Sequence, residues 1–254
     1  GLIGGEGIRK GGMAPNAAVM TEHRPERAVQ AAKAGKNEVN ALTEHAYYET
    51  PESKLPGEPP AATWLPHNSV RGAYEWEPAH EALSAQEKKF ILGGHGCMWT
   101  DRFMHNPILR DIPVLAENRS ARYVDYLSLP RMAALAEVVW TPQGQRSWEE
   151  FTQRISVQYR RYSANGYHYR VPLPQVEKPA RKGQQFSVTM STPVHGAEIR
   201  YTTDGSYPTV YSQRYTEPVT VKALKDLRAI TVVSPRHHSL AFSFVKEKAK
   251  KPEK

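Results

Sequence analysis

Apolar residues come in short runs set between glycines and prolines over the first part of the chain, and run length rather than strict alternation carries the signal. Leu2 and Ile3 leading into glycines, residues 17–20 and residues 37–42 each read as a short buried strand. Residues 26–34 have helical spacing and end at Gly35, a residue suited to the left-handed position that closes a helix. Residues 84–89 are helical in character, and residues 90–92 form an apolar run entering a turn at Gly93, Gly94 and Gly96, which predicts a strand opening onto a loop. Farther on, Leu129, Met132, Leu135, Ala136 and Val139 recur at helical spacing. They predict an amphipathic helix with Pro130 in its first turn and Pro142 closing it.

Four βα units fit this pattern. Residues 50–78 hold Pro51, Pro56, Pro59, Pro60, Pro66 and Pro78, which predicts a long excursion over the mouth of a sheet rather than a connector. A helix over 147–164 carries Trp148, Phe151, Ile155 and Tyr159 or Tyr162 on one face, a core-packing stripe, and Asn165 and Gly166 end it. After a linker the pattern changes: FSVTMS, AEIRYTTDG, PVTVKAL, LRAITVVS and LAFSFV alternate as short strands with turns between them. About five such strands read as a small antiparallel sandwich, with Asp204 and Gly205 making a tight turn and His237 and His238 in a solvated one.

Composition narrows the class. The 254 residues, 24% of them charged, can support one or two globular domains and do not read as disordered. There is no apolar run of the roughly 18 residues needed to span a bilayer, and the start GLIGGEG lacks the pattern of a signal peptide. One cysteine, Cys97, excludes an internal disulfide and leaves the redox compartment open. The net charge of +8 is partly a matter of the tail, where Lys246, Lys248, Lys250, Lys251 and Lys254 face Glu247 and Glu253. No aromatic residues interleave with these lysines, so a solvated tail is expected rather than a nucleic-acid contact.

Candidate chemistry sits just past the strand at Phe90. Trp99 and Asp101 place an aromatic plane and a carboxylate two residues apart, where the carboxyl end of a barrel strand binds ligands, and this pairing suggests a sugar site. His95, Cys97 and His105 lie nearby but lack a second cysteine or regular spacing, so no metal is expected. His45 is read as a packing residue ahead of proton transfer. GGEG and GGHG look like phosphate loops only superficially, since neither ends in Gly-Lys-Ser/Thr or has dinucleotide spacing. No cofactor is expected.

At these residues the chain resembles glycoside hydrolase family 20, the β-N-acetylhexosaminidases. GCMWTD is similar to that family's last barrel strand and LPRMAALAEVVWTP to its last barrel helix. GGMAPNAAVM, HAYYE and YEWEP precede them in the family's order. IRYTTDGSYPT resembles a signature of the fibronectin-like C-terminal domain of chitobiases and related hexosaminidases. The resemblance implies an α/β fold, the second half of a (β/α)8 TIM-type barrel over residues 1–170. An all-β antiparallel sandwich follows over 171–246 and a disordered basic tail over 247–254. Half a barrel has two open sheet edges, so the missing N-terminal half of the barrel is the expected protein partner.

The resemblance also implies roles. In this family the sugar's own acetamido oxygen attacks the anomeric carbon, a protonated carboxyl assists the leaving oxygen, and a second carboxylate steers the acetamido group. That Asp-Glu pair has no matching segment in this chain, which alone is expected to be inactive. What remains is the binding face for N-acetylhexosaminide glycans: Tyr47 on the acetamido oxygen, Glu49 and Asp101 on sugar hydroxyls, Trp99 as a floor and Trp64 as a platform for the next sugar. Glu49 stands where the family has aspartate and Asp101 where it has glutamate. Gly5 and Glu22 stand where tryptophans are expected. Two readings are therefore kept: a part of an exo-hexosaminidase, or a non-catalytic glycan-binding or scaffold protein on a degenerate barrel. The family points to a periplasmic, cell-surface or secreted location.

Overall fold

A computed structural model of the chain describes residues 2–4, 14, 17–22, 24–55, 57–59, 61, 66–99 and 119–244. They group into two compact units, one holding 2–53, 61–99 and 127–148, the other 54–59, 119–126 and 149–244. The basic tail lies outside the described residues.

The first unit is built on four strands, β1 (Leu2–Gly4), β2 (Ala18–Glu22), β3 (Asn37–Ala41) and β4 (Ile91–Gly94), side by side in that order. Every neighbouring pair is parallel. Parallel neighbours need a crossover, and between β2 and β3 it is the helix α1 (Pro25–Lys33). Pro25 opens α1 where a missing N–H costs nothing, and Gly35 follows it at φ +68°. Its buried residues are Ala28, Ala31 and Ala32, small enough to bring the helix close to β2 and β3.

The connection from β3 to β4 is less loop-like than the proline count predicts. It contains α2 (Thr43–Ala46) and α3 (Val70–Tyr74), the latter opened by the Ser69 hydroxyl, which accepts from the Gly72 N–H at 3.0 Å. The expected helix over 84–89 shrinks to a single 3-10 turn, Glu87–Phe90. Ser84 and Glu87 do form reciprocal capping bonds, Ser84 N–H to the Glu87 carboxylate at 2.7 Å and Glu87 N–H to the Ser84 hydroxyl at 3.3 Å. The strand begins one residue after Phe90 and leaves no room for a second turn.

Two helices follow, α4 (Arg119–Ser128) and α5 (Arg131–Trp140). The existence of α5 matches the periodicity, but its inward face does not. Arg131, Ala134 and Val138 are buried, with Leu135 packed against Leu42, Ala46 and Trp76. Met132 and Val139 are exposed, as is Trp140 at 89%. The helix is apolar nearly all round, so spacing alone does not select a side. Pro130 stands just outside the helix rather than in its first turn.

In the second unit α6 (Trp148–Ala164) buries Phe151, Ile155, Tyr159 and Tyr162, the stripe expected from sequence. Strands β5 (Gln175–Val176), β6 (Ala180–Lys182), β7 (Gln185–Val188), β8 (Met190–Ser191), β9 (Glu198–Thr202), β10 (Gln213–Arg214), β11 (Val219–Val221), β12 (Arg228–Ser234), β13 (His237–His238) and β14 (Phe242–Ser243) follow. They form a sheet β10-β9-β12-β13 with β14 also on β12, a sheet β11-β7-β6 and the pair β5-β8, all antiparallel. Val188, Met190, Ile199, Tyr201, Val219, Val221, Leu227 and Ala229 make their common core. At the predicted tight turn the Asp204 carboxylate accepts from both the backbone N–H and the hydroxyl of Ser206, and Gly205 takes φ +80°.

His237 departs from its expected place in solvent. It is half-buried, with Nε2 2.8 Å from the Tyr169 carbonyl and its ring stacked 4.8 Å from that of His168. The short hairpin of β12 and β13 folds it back onto the segment that follows α6; His238 remains exposed. No helix among the described residues is long and apolar enough to cross a membrane.

Candidate active site

The site is made where β3 and β4 end. Their ladder pairs Val39 with Gly93 and Asn40 with Gly94, and the His95 N–H donates to the Asn40 carbonyl at 2.8 Å. The chains then meet again past the short helix α2. Cys97 N–H donates to the Ala46 carbonyl at 2.8 Å and Tyr48 N–H to the Cys97 carbonyl at 2.9 Å, a parallel bridge between Tyr47 and Cys97. This second closure sets the HAYYE segment beside the GCMW segment at one rim of the sheet.

Glycine is what permits the approach. A Cβ on Gly96 would lie 2.7 Å from Tyr48 Cε2 and 2.9 Å from Leu135 Cδ2, and one on Gly94 would lie 2.8 Å from Trp76 Cζ3. The GGHG run is therefore a packing device that lets aromatic rings and α5 side chains touch backbone.

Three of the five sequence-derived site residues are described, and all three stand at this rim. Tyr47 is 2% exposed and packs with Ala41, Cys97 and Met20; Glu49 is 4% exposed; Trp99 is 48% exposed. Two of these polar side chains are thus buried, and the indole is open to solvent. Trp64 and Asp101 lie outside the described residues, as do Gly5 and His105; of Glu22 only the backbone is described, at the end of β2. His45 is a packing residue, its Nδ1 2.7 Å from the Gly72 carbonyl and its ring parallel to that of Trp76 at 6.0 Å.

A phenol that donates or accepts, a carboxylate that accepts from two hydroxyls and a flat indole form a set suited to a pyranose. Beside Tyr47, burial pushes the Tyr48 phenol far up, an effect the nearby Arg131 cation only partly offsets, so Tyr48 stays neutral, its ring packed against Gly96 and Arg131. Sequence reasoning missed Arg131, Thr50 and Asn68, which hold this turn from beneath. The signal for Arg131 was its place on the stripe 131, 134, 135 and 138, the only charged side chain among small and apolar ones.

Comparison with known proteins bears on the same residues. The family description "Glycosyl hydrolase family 20, catalytic domain" matches residues 5–143, and "Chitobiase/beta-hexosaminidase C-terminal domain" matches 179–243. A beta-hexosaminidase of Porphyromonas gingivalis is 27% identical over 228 residues, which is 86% of this chain and 26% of that protein. A beta-N-acetylhexosaminidase of Cellulomonas fimi is 28% identical over 116 residues, 46% of this chain and 20% of that protein. The chain thus spans about a quarter of the length of the curated relatives it matches.

Among solved structures, the exo-β-N-acetylglucosaminidase of Vibrio harveyi in complex with N-acetylglucosamine matches with TM-score 0.53 and 23% identity, over 66% of this chain and 24% of its own. The β-N-acetylhexosaminidase of Streptomyces coelicolor A3(2) matches with TM-score 0.51 and 19% identity, over 66% of this chain and 32% of its own. At these identities the structures speak for the fold, part of a TIM-type barrel. With the catalytic-domain description matching over more than half of its residues, the chain belongs to glycoside hydrolase family 20.

Proposed function

We propose that this chain carries the terminal-sugar binding face of an exo-acting β-N-acetylhexosaminidase. The observation that carries the reading is the Tyr47–Cys97 bridge, which sets Tyr47 and Glu49 at the same rim as Trp99. In the proposed chemistry the substrate's acetamido oxygen attacks its own anomeric carbon, and the glycosidic bond breaks with retention after water opens the cyclic intermediate. Tyr47 donates to the acetamido oxygen and holds it in line, a gain in positioning rather than in reactivity. Glu49 and Asp101 accept from ring hydroxyls, Trp99 lies under the ring's C–H face, and Trp64 receives the next sugar.

The acid and the orienting carboxylate come from barrel strands that this chain does not carry. Those strands pair with the outer edges of β1 and β4, and they cover Leu92, 59% exposed on β4. The same reading treats residues 1–170 as barrel, 171–246 as an appended packing domain, 247–254 as a basic tail, and the whole protein as working outside the cytoplasm. The second reading, a glycan binder without turnover, draws on Gly5 and Glu22, which replace two aromatic walls of the family's acetamido pocket.

Titration of the chain with N-acetylglucosamine, followed by two-dimensional NMR, tests the site. The Trp99 indole N–H signal shifts, and Tyr47→Phe and Trp99→Ala each weaken binding by about tenfold, the worth of one good polar or stacking contact. An indole signal that never moves would sink the reading. The chain alone releases no product from a chromogenic N-acetylglucosaminide. The complete protein separates the two readings, since turnover belongs to the enzyme and saturable binding without turnover to the binder.

A further inference from the structure

The buried cation beneath the rim has no role in the chemistry above. Arg131 opens α5 and is 1% exposed. Its Nε donates to the Leu127 carbonyl at 2.8 Å. One terminal nitrogen donates to the Asn68 carbonyl at 2.9 Å and to the Thr50 hydroxyl at 3.2 Å. The other donates to the carbonyls of Tyr48 at 2.7 Å and Thr50 at 3.0 Å, and shares the Leu127 carbonyl. The guanidinium carbon stands 5.3 Å from the centre of the Tyr48 ring. A guanidinium has five N–H donors in a fixed plane, and here all five are directed at acceptors.

Two residues extend the grip. The Thr50 hydroxyl, itself an acceptor from Arg131, donates to the Tyr47 carbonyl at 2.9 Å. Asn68, whose carbonyl Arg131 holds, donates through its side chain to the His45 carbonyl at 2.6 Å and through its N–H to the Pro51 carbonyl at 3.3 Å. The carbonyls of His45, Tyr47, Tyr48, Thr50 and Pro51 are thus all tied to Arg131, directly or through one residue. Tyr47 and Glu49 sit inside that run, and their side chains make none of these bonds. Packing alone does not call for such a group, because an apolar side chain of similar volume fills the space without the desolvation of a charge. What an apolar residue lacks is direction.

We propose that Arg131 is a positioning residue for the sugar site, fixing the turn from Tyr47 to Thr50 so that the Tyr47 hydroxyl and the Glu49 carboxylate meet the sugar in one geometry. Arg131 never touches the sugar; it acts through Thr50 and the main chain. The inference rests on the reading of Tyr47 and Glu49 as sugar ligands, and its test separates the two.

The experiment takes the whole chain as wild type, Arg131→Ala, Thr50→Val and Tyr47→Phe. It measures N-acetylglucosamine affinity by NMR titration and amide hydrogen exchange at Tyr48 and Cys97, the two N–H groups of the rim bridge. Arg131→Ala weakens the sugar by about tenfold or more and Thr50→Val by several-fold, as expected for loss of charge-assisted and neutral hydrogen bonds. Both speed exchange at the bridge. Millimolar guanidinium restores part of the affinity of Arg131→Ala, and sodium at the same concentration does not. A loss of global stability alone would not be repaired this way. Unchanged exchange at Tyr48 and Cys97 overturns the proposal, and so does unchanged affinity in both variants while Tyr47→Phe weakens binding. If Tyr47→Phe itself leaves the affinity alone, the sugar-site reading fails and Arg131 belongs to the fold only. If Arg131→Ala does not fold, Thr50→Val decides.

Discussion

Gly96 shows how much of the site depends on an absent atom. A methyl group there would press on the Tyr48 ring and on Leu135, and neither is the loose end of a flexible chain, since Tyr48 is 2% exposed and Leu135 is packed in a core. Gly96→Ala is expected to destabilise the chain by about 1–3 kcal/mol, the usual cost of overpacking, measured as a lower urea midpoint. Gly144→Ala, with nothing within 4 Å of the added carbon, is the control and does not lower the midpoint. That the HAYYE and GCMW segments meet at one rim was legible in the sequence, because each follows a strand of the same parallel sheet. What Arg131 grips was not, because four of its acceptors are main-chain carbonyls of residues up to 83 positions away, and main chain leaves no signature in sequence.

At the scale of elements, the parts that bury one clear face were legible. The strands β1 to β4 and the helices α1 and α6 follow their patterns closely. The face of α5 was not, for a helix apolar on every side is oriented by its one buried charge. The two-residue strands β5, β8, β10, β13 and β14 are too short for any period to show, which is why His237 was expected in solvent. Its stack with His168 leads to a pH prediction. Burial, with the nearby His237, Arg122 and His238, pulls His168 down to about 4 from the usual 6.5, and burial also lowers His237. Facing them are the Asp125 carboxylate, which accepts from the backbone N–H of His168 at 3.0 Å, and the Tyr126 ring at 6.5 Å. A histidine depressed in the folded state binds fewer protons there than when unfolded, so stability is intact above the unfolded value and falls as pH drops. The urea midpoint of the unit holding the antiparallel sheets should therefore decline between about pH 6.5 and about pH 4, and His168→Asn should flatten that decline.

At the scale of the whole molecule, the four-stranded parallel sheet has, among the described residues, an outer edge at β1 and another at β4. Large apolar side chains are exposed in the same unit: Leu92 on β4, and Met132, Val139 and Trp140 on α5. Exposed apolar surface of this kind binds anilinonaphthalene sulfonate. The folded chain is expected to raise the dye's fluorescence, and the pair Leu92→Gln with Trp140→Gln to lower it while the circular dichroism spectrum holds. An unchanged dye signal in that double variant would place the accessible apolar surface elsewhere.

The grip of Arg131 on carbonyl oxygens also bears on how freely this site can diversify. A clamp that reads backbone is blind to the side chains it passes, so an exchange at position 49 leaves the clamp's own bonds in place. A library varying Glu49, starting from the shorter Asp, would sample new hydroxyl preferences on an unchanged frame. Randomising Thr50 or Asn68, whose side chains are themselves links in the clamp, would instead yield mostly broken sites.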